Sequence, residues 1–461
     1  MFDPTTSHSN QPDASTIDRL FNEAHKGISS FADGENTYAI PVHRIELALK
    51  SDKDITLNLK RGKIHPEFEQ SDYLTEDCLK LLKSTQSSTS FNEKHLKVKK
   101  NGKAVSRGNR DFLTGLSATQ PLVANPKNAS LSSSSFNSAY GYGLVNAARA
   151  VAWSAGYYPH ALSEVADLGG FNWNNDLVKA PEAWLWGAKG QGIKVAVIDS
   201  GVDINHPDLN GSIWRNTREI AGDGIDNDRN GYVDDIYGWN FGIGQNNNNV
   251  LPGTNDPGQV HGTHVAGTIA AMENSFGVTG VAPEAKIMAI RMGNIQTNRN
   301  GTTSFTNSGS LAEAIRYAVN NGAKVINMSL SFPETPEIVS ALVYAANNNV
   351  ITVSSSGNNQ AASPIFPAKY ATAYGIAVGA IDTNGRVASF SNGAGQNSRT
   401  QFVVAPGVDI WSTTPNHNYA KMNGTSMAAP HVAGVIALML SANPNLTYAQ
   451  IRYILTASAT G

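Results

Sequence analysis

Three polar residues stand where short apolar runs end or a helix rich in small residues begins. Asp199 follows the run Val195–Ile198 (VAVI) and precedes Ser200 and Gly201. A carboxylate at the end of a buried strand is costly unless a partner holds it. Alone, Asp-Ser-Gly also fits an aspartate capping a turn; an aspartic peptidase would need a second such element, and the sequence has none. His261 opens HGTHVAGTIAA (261–271), whose Gly262, Ala266, Gly267 and Ala270 suit close packing on a sheet. His264 follows one helical turn later, yet no third ligand and no HExxH spacing accompanies the pair, so His264 reads as a structural hydrogen-bonder. Ser426 lies in GTSMAAPH (424–431), at the start of an apolar run to Leu440. An isolated serine there is an N-cap. Its glycine, alanine and proline neighbours leave it accessible, and a helix start offers N–H donors and a positive dipole end to a developing oxyanion.

The elements that must position these groups are legible as short β-branched runs. They fall at Ile193–Ile198, Lys286–Ile290, Lys324–Met328, Val350–Val353 and Gly375–Val378, with helical stretches at Ser310–Asn320 and Pro336–Ala346. Continuous apolar strands alternating with helices predict an α/β fold with a parallel sheet covered on both faces. In such sheets ligands bind beyond the carboxyl ends of the strands, where Asp199 stands.

Composition narrows the class. Of 461 residues, 41% are hydrophobic, 16% are charged and 42 are glycine, against about 25% charged in an ordinary soluble domain. This excludes a highly charged disordered chain. Thirty-five basic and 37 acidic residues leave a net charge of −2, so neither nucleic acid nor an anionic membrane is an expected partner. The basic run Lys94–Arg110 lacks interleaved aromatics and reads as solvated surface or linker. The single Cys78 excludes an internal disulfide framework and a cysteine zinc cluster. Met1–Leu20 has no apolar h-region, and Val432–Leu440 is too short to cross a bilayer. A soluble monomer is expected, cytoplasmic as the chain stands and secreted if a leader has been removed.

Asp199, His261 and Ser426 follow one of the three known chain orders of a Ser-His-Asp triad. With VAVIDSGVDINHPDL (195–209), HGTHVAGTIAA (261–271), GVAPEAKI (280–287), VINMSLS (325–331), SSSGNN (354–359) and NGTSMAAPHVAGVIALM (423–439), the chain resembles a subtilisin-like serine peptidase, a subtilase. The resemblance implies a three-layer α/β/α fold with a mostly parallel sheet and serine endopeptidase activity. Ser426 would be the nucleophile, His261 the base and Asp199 its orienting partner, with Asn358 and the Ser426 N–H as oxyanion donors. Protein or peptide substrate would bind as an extended strand along Ser329, Leu330 and Ser331. Ser331 replaces the usual family glycine, Gly357 is a substrate-binding position, and Ile365, just before Phe366–Pro367, falls at the floor of the specificity pocket. Glu334 and Glu337 are close enough in sequence to favour basic residues, and the Phe366–Pro367 bond is expected to be cis. An inactive calcium- or protein-binding module of this fold would normally lack a triad or oxyanion residue. All four are present.

Two calcium features accompany the resemblance. Asp208 and the loop 272–278 match the tight family site, with oxygens from Asp208, Met272, Asn274, Phe276 and Val278. The run Asp226–Asp235 (DNDRNGYVDD) reproduces the first half of an EF-hand loop, with oxygens at Asp226, Asp228, Asn230 and Tyr232. Its twelfth position is Tyr237 rather than glutamate, so Asp235 or Asp223 must complete the shell; as a lone half-motif it equally fits an acidic turn.

One family element is displaced. Subtilases normally follow their last helix with a Y-G-x-G segment and a helix, whereas here Tyr140–Ala147 (YGYGLVNA) and the helix Ala148–Ala155 precede the catalytic motifs. The expectation is a circularly permuted catalytic domain, residues 137–461, in which 139–156 take the place of the C-terminal segment. Residues 1–136 form an N-terminal region, read as a removable prosegment ending in a serine-rich linker at Leu131–Ser138. Within it, strands are expected at 38–42 and 55–59 and a helix at 74–82.

Overall fold

The computed structural model describes residues 45–51, 54–59, 136–158, 160–253, 257–297, 303–306 and 309–461. The chain divides into two compact units, Met1–Thr114 and Gly115–Gly461. In the first, β1 (Ile45–Ser51) and β2 (Asp54–Leu59) form an antiparallel hairpin with Ile45 opposite Leu59. The second strand matches the alternating run at 55–59. The expected strand at 38–42, the helix at 74–82, Cys78, the basic run 94–110 and residues 131–135 lie outside the described residues.

The second unit runs α1 (Ala147–Ser154), α2 (Trp173–Leu177), α3 (Ala180–Leu185), β3 (Lys194–Asp199), β4 (Gly238–Asn240), α4 (His261–Ala270) and β5 (Lys286–Arg291). It continues through β6 (Asn294–Thr297), β7 (Thr303–Thr306), α5 (Leu311–Asn320), β8 (Val325–Met328), α6 (Pro336–Asn347) and β9 (Ile351–Ser355). It ends with β10 (Ile376–Ile381), β11 (Phe402–Pro406), β12 (Ile410–Thr414), β13 (Asn418–Met422), α7 (Thr425–Ala442) and α8 (Tyr448–Ala457). Seven strands form one parallel sheet in the order β11-β10-β9-β8-β3-β5-β4. All five strands expected from β-branched runs are present. Sequence periodicity misses β4, a three-residue strand too short to carry a period, and β11, whose apolar run ends in a proline at the sheet edge.

Both faces of the sheet are covered, which is why its strands read as unbroken apolar runs. Along β3, Val195 and Val197 pack with α4 and α7, while Ala196 and Ile198 pack with α5 and α6. Helix starts are chemically marked. Ser310 and Thr335 accept the N–H groups of Glu313 and Ile338, and Thr447 and Gln450 make a reciprocal capping box on α8. Helix α7 has the length and apolarity to span a bilayer, beyond what Val432–Leu440 alone suggests. It is nevertheless buried along most of its length between the sheet, α1 and α4, as the central helix of the core.

The displaced Y-G-x-G segment lies beside the chain's last residues. Tyr142 N–H donates to the Phe402 carbonyl (2.9 Å) and Val145 N–H to the Val404 carbonyl (3.0 Å), continuing the parallel pairing beyond β11. Leu144 exchanges backbone hydrogen bonds with Thr460 at 2.7 and 2.8 Å. At Gly143, with φ +107°, a Cβ would sit 2.3 Å from the Thr460 carbonyl oxygen, so both conformation and space demand glycine. Gly143→Val is therefore expected to destabilise the unit by about 2 kcal/mol or more, measured as the free energy of urea unfolding. An unchanged value would mean that this docking contributes nothing to the fold.

Candidate active site

Strand β3 is the topological switch point, with β5 and β4 on one side and β8 to β11 on the other. The crevice at the carboxyl ends of its strands is where a ligand site belongs. Asp199, the last residue of β3, is fully buried. Its carboxylate accepts the Ser200 N–H at 2.7 Å and faces His261 Nδ1 at 2.8 and 3.0 Å. His261 is the first residue of α4; Asp199 orients the ring through Nδ1, and Nε2 has no hydrogen-bond partner among the described residues. This approach requires glycine at the next position: a Cβ on Gly262 would lie 2.3 Å from the Gly201 carbonyl oxygen and 3.1 Å from Asp199 Cβ.

Ser426 is the second residue of α7 and is half-buried. Its hydroxyl donates to the Ser329 carbonyl at 3.3 Å, and no hydrogen bond joins it to His261. A direct bond to the His261 imidazole would require the hydroxyl to leave that carbonyl. Asn358, exposed in the loop after β9, accepts the Thr425 N–H and the Thr425 hydroxyl on Oδ1, both at 2.9 Å. Two donors on one oxygen fix the amide's orientation and leave Nδ2 as the free donor. That nitrogen lies beside Gly424, at the entry to α7, 3.4 Å from where a Gly424 Cβ would stand.

Ser329 and Leu330 are buried and Ser331 is exposed, directly past the end of β8. Ile365 donates its N–H to the Ser356 carbonyl (3.0 Å) and lays its side chain over Gly357, where a Cβ would meet Ile365 Cδ1 at 2.9 Å. The Phe366–Pro367 bond is cis, as the resemblance implied. The idea that Glu334 favours basic substrates meets an obstacle. Its carboxylate is ion-paired with Lys369 and accepts the Tyr370 hydroxyl at 2.7 Å, and the Lys369 bond holds it below the usual carboxylate range.

The two acidic regions differ in construction. Asp208 is fully buried and encircled by loop 272–278, accepting from Asn274 Nδ2 (2.6 Å), Val278 N–H (3.0 Å) and Tyr419 OH (3.2 Å). Met272 N–H returns to the Asp208 carbonyl at 2.9 Å, and Asn274 Oδ1 accepts the Phe276 N–H. In the second region carboxylate oxygens of Glu219, Asp228 and Asp235 lie within 4.8 Å of one another, close enough to share one metal ion, with Arg218 ion-paired to Asp228 at 2.9 Å. Glu219 was not legible in the loop motif because it stands upstream of it and joins by accepting the Asp228 and Asp234 N–H groups. Asp235 accepts from Asn216, Asn230 and Tyr317, and burial raises its pKa. Asp226 instead accepts the Asn230 and Gly231 N–H groups, and Asp223 caps its own turn through Ile225 and Asn227. The Tyr232 ring packs among Trp239, Phe241 and Tyr317.

A serine at a helix start, an imidazole oriented by a buried carboxylate and a fixed amide donor are the groups of a serine peptidase site. Residues 190–461 match the subtilase family. M-protease of Shouchella clausii (strain KSM-K16) is 42% identical over 291 residues, 63% of this chain and 64% of that protein. Subtilisin Savinase of Lederbergia lenta is 41% identical over 290 residues, 62% of this chain and 91% of that protein. Subtilisin E of Bacillus subtilis (strain 168) is 38% identical over 290 residues, covering 61% and 64%. The matched part thus spans slightly under two thirds of M-protease and of Subtilisin E. The chain belongs to the subtilase family, the subtilisin-like serine peptidases.

His264 serves structure, as its spacing suggested. Its Nε2 faces the Ile410 and Ala420 carbonyls at 2.9 and 3.2 Å, tying α4 to the β12–β13 hairpin. His431, in α7, bridges the Met427 carbonyl and Asn174. Burial pushes their pKa values down, to about 3 for His264 and about 4 for His431. Each is neutral when folded, whereas the unfolded chain takes up a proton near pH 6.5. Their contribution is complete above that pH and is lost as pH falls toward 4 and then 3. Urea unfolding of the Ser426→Ala protein, which cannot digest itself, should show stability falling by up to about 1.4 kcal/mol per pH unit per histidine below pH 6. His431→Gln should flatten that slope; an equally steep slope would contradict a neutral buried His431.

Proposed function

We propose that this protein is a serine endopeptidase that cleaves protein or peptide chains through an acyl-enzyme on Ser426. The buried Asp199–His261 pair carries this reading, because no packing role explains a carboxylate held on one imidazole nitrogen at the mouth of the sheet. Ser426 Oγ attacks the scissile carbonyl carbon while His261 Nε2 takes its proton. The resulting oxyanion accepts from Asn358 Nδ2 and the Ser426 N–H. Collapse expels the amine with the proton from His261, and water then releases the acyl group by the same route.

A serine-directed fluorophosphonate should label the wild-type chain and not Ser426→Ala. Asn358→Ala should lower kcat by about a hundred- to a thousand-fold, the range seen when one oxyanion donor is removed from subtilisin itself. Labelling that persists in Ser426→Ala would remove the nucleophile assignment. Substrate as an extended strand along Ser329–Ser331 suits main-chain pairing. Ile365 over Gly357 suits small or medium apolar residues before the cut. Ile365→Gly should shift cleavage profiles toward large aromatic residues, and an unchanged profile would clear Ile365 of a role in selection.

Calcium fits both acidic regions. Asp208 is fully buried and meets only neutral donors, so a hard cation would offset its charge, and Glu219, Asp228 and Asp235 crowd three carboxylates against one guanidinium, Arg218 on Asp228 at 2.9 Å. Asp208 and Asn274, with the carbonyls of Met272, Phe276 and Val278, would hold one ion. Glu219, Asp228 and Asp235, with Asn230, Tyr232 and Asp226 around them, would hold another. When bound, each ion neutralises buried charge and braces its loop. Exhaustive chelation should lower Tm by several degrees, roughly 2–4 °C for each kcal/mol lost in a domain this size. An unchanged Tm would refute calcium dependence. Residence outside the cytoplasm suits such a protein better than the cytoplasmic expectation, since oxygen sites for calcium fill most readily where calcium is abundant.

Segment 139–156 acts as the family's terminal strand and helix in permuted order, supported by its pairing with Phe402, Val404 and Thr460. Residues 1–136 serve as a segment that the enzyme cuts from itself near the serine-rich run. Ser426→Ala should then accumulate as the uncut 461-residue chain. Normal processing of that variant would exclude self-cleavage.

A further inference from the structure

Helix α7 contains Pro430 four residues after the nucleophile. In an α-helix the N–H of residue 430 would bond the carbonyl of Ser426, but proline has none, so that carbonyl is left without its ladder partner. The gap is filled from another element. Ser329, one residue beyond β8, donates its hydroxyl to the Ser426 carbonyl at 2.7 Å. Its single proton is aimed there because its oxygen already accepts from Asn327 Nδ2 at 3.0 Å. Asn327 is fully buried inside β8, in register with Val197 of β3 and Val353 of β9, and its Oδ1 has no partner among the described residues. A buried asparagine with one orphaned polar atom is an unfavourable choice for strand packing alone. Ser329 also returns a contact: its own carbonyl accepts the Ser426 hydroxyl.

We infer that Asn327 and Ser329 are positioning residues for the nucleophile, a polarised chain that replaces the hydrogen bond Pro430 removes and fixes the Ser426 peptide against the end of β8. The role rests on the peptidase reading and deepens it. It separates two functions of Ser329: its main chain borders the substrate strand, while its side chain acts on Ser426. Orientation of a nucleophile affects the chemical step more than ground-state binding.

The test is a kcat and KM comparison on one peptide substrate, together with fluorophosphonate labelling rates, for wild type, Ser329→Ala, Ser329→Thr, Asn327→Ala, Pro430→Ala and the Ser329→Ala/Pro430→Ala double variant. Ser329→Ala should lower kcat roughly tenfold or more, with KM within about twofold. Ser329→Thr, which keeps the hydroxyl, should recover most of the loss, and Asn327→Ala should lower kcat in the same direction but by less than Ser329→Ala does. Pro430→Ala restores an N–H at the vacant ladder position, so the Ser329→Ala loss should shrink several-fold in that background. A Ser329→Ala loss confined to KM, or equal in both backgrounds, would overturn the role. Should Ser329→Ala melt below the assay temperature, the Asn327→Ala rate decides it: a fall in kcat at unchanged KM supports the role, and an unchanged kcat overturns it. A wild-type chain that neither labels nor hydrolyses would instead overturn the peptidase reading, and this role with it.

Discussion

The site depends on a carboxylate buried where the sheet changes direction. Asp199 closes β3, is fully buried, and is satisfied by the Ser200 N–H and the His261 ring. Such a group is tolerated only if its partner is held in place. Several sequence choices follow from that need: glycine after His261, small residues along α4, and a buried His264 that anchors α4 to the β12–β13 hairpin. The parallel order of the sheet then sets the ends of β3, β8 and β9 and the start of α7 around one crevice.

The helix that delivers Ser426 is unusual in being both central to the core and imperfect at its start. Its apolar length packs on the sheet, yet Pro430 interrupts its first turns beside Ser426. Contacts from other elements compensate. Asn358 takes both donors of Thr425, and Ser329 supplies a donor to the Ser426 carbonyl. A helix start held from outside itself keeps the Ser426 hydroxyl accessible while fixing its backbone, as the proposed oxyanion site requires.

Much of this was legible because its signals are local. Five parallel strands could be read from β-branched runs, and Asp199, His261 and Ser426 from their positions at element ends. What escaped depends on distant contacts. Glu219 joins the acidic cluster from outside the loop motif, and Ser331 and Glu334 gave no sign that the latter would be neutralised by Lys369. The three residues of β4 carry no period at all. The Tyr140–Ala147 segment shows the reverse case: a local pattern whose meaning lies in its neighbours, Phe402, Val404 and Thr460, hundreds of residues later in the chain.

The claim that Asp199 makes His261 a base for Ser426 is tested most directly by Asp199→Asn, which keeps the shape and removes the charge. The account predicts a fall in kcat of about ten-thousand-fold at neutral pH, with near-UV circular dichroism and melting behaviour of a folded protein. A folded Asp199→Asn protein retaining activity within about tenfold of wild type would contradict it.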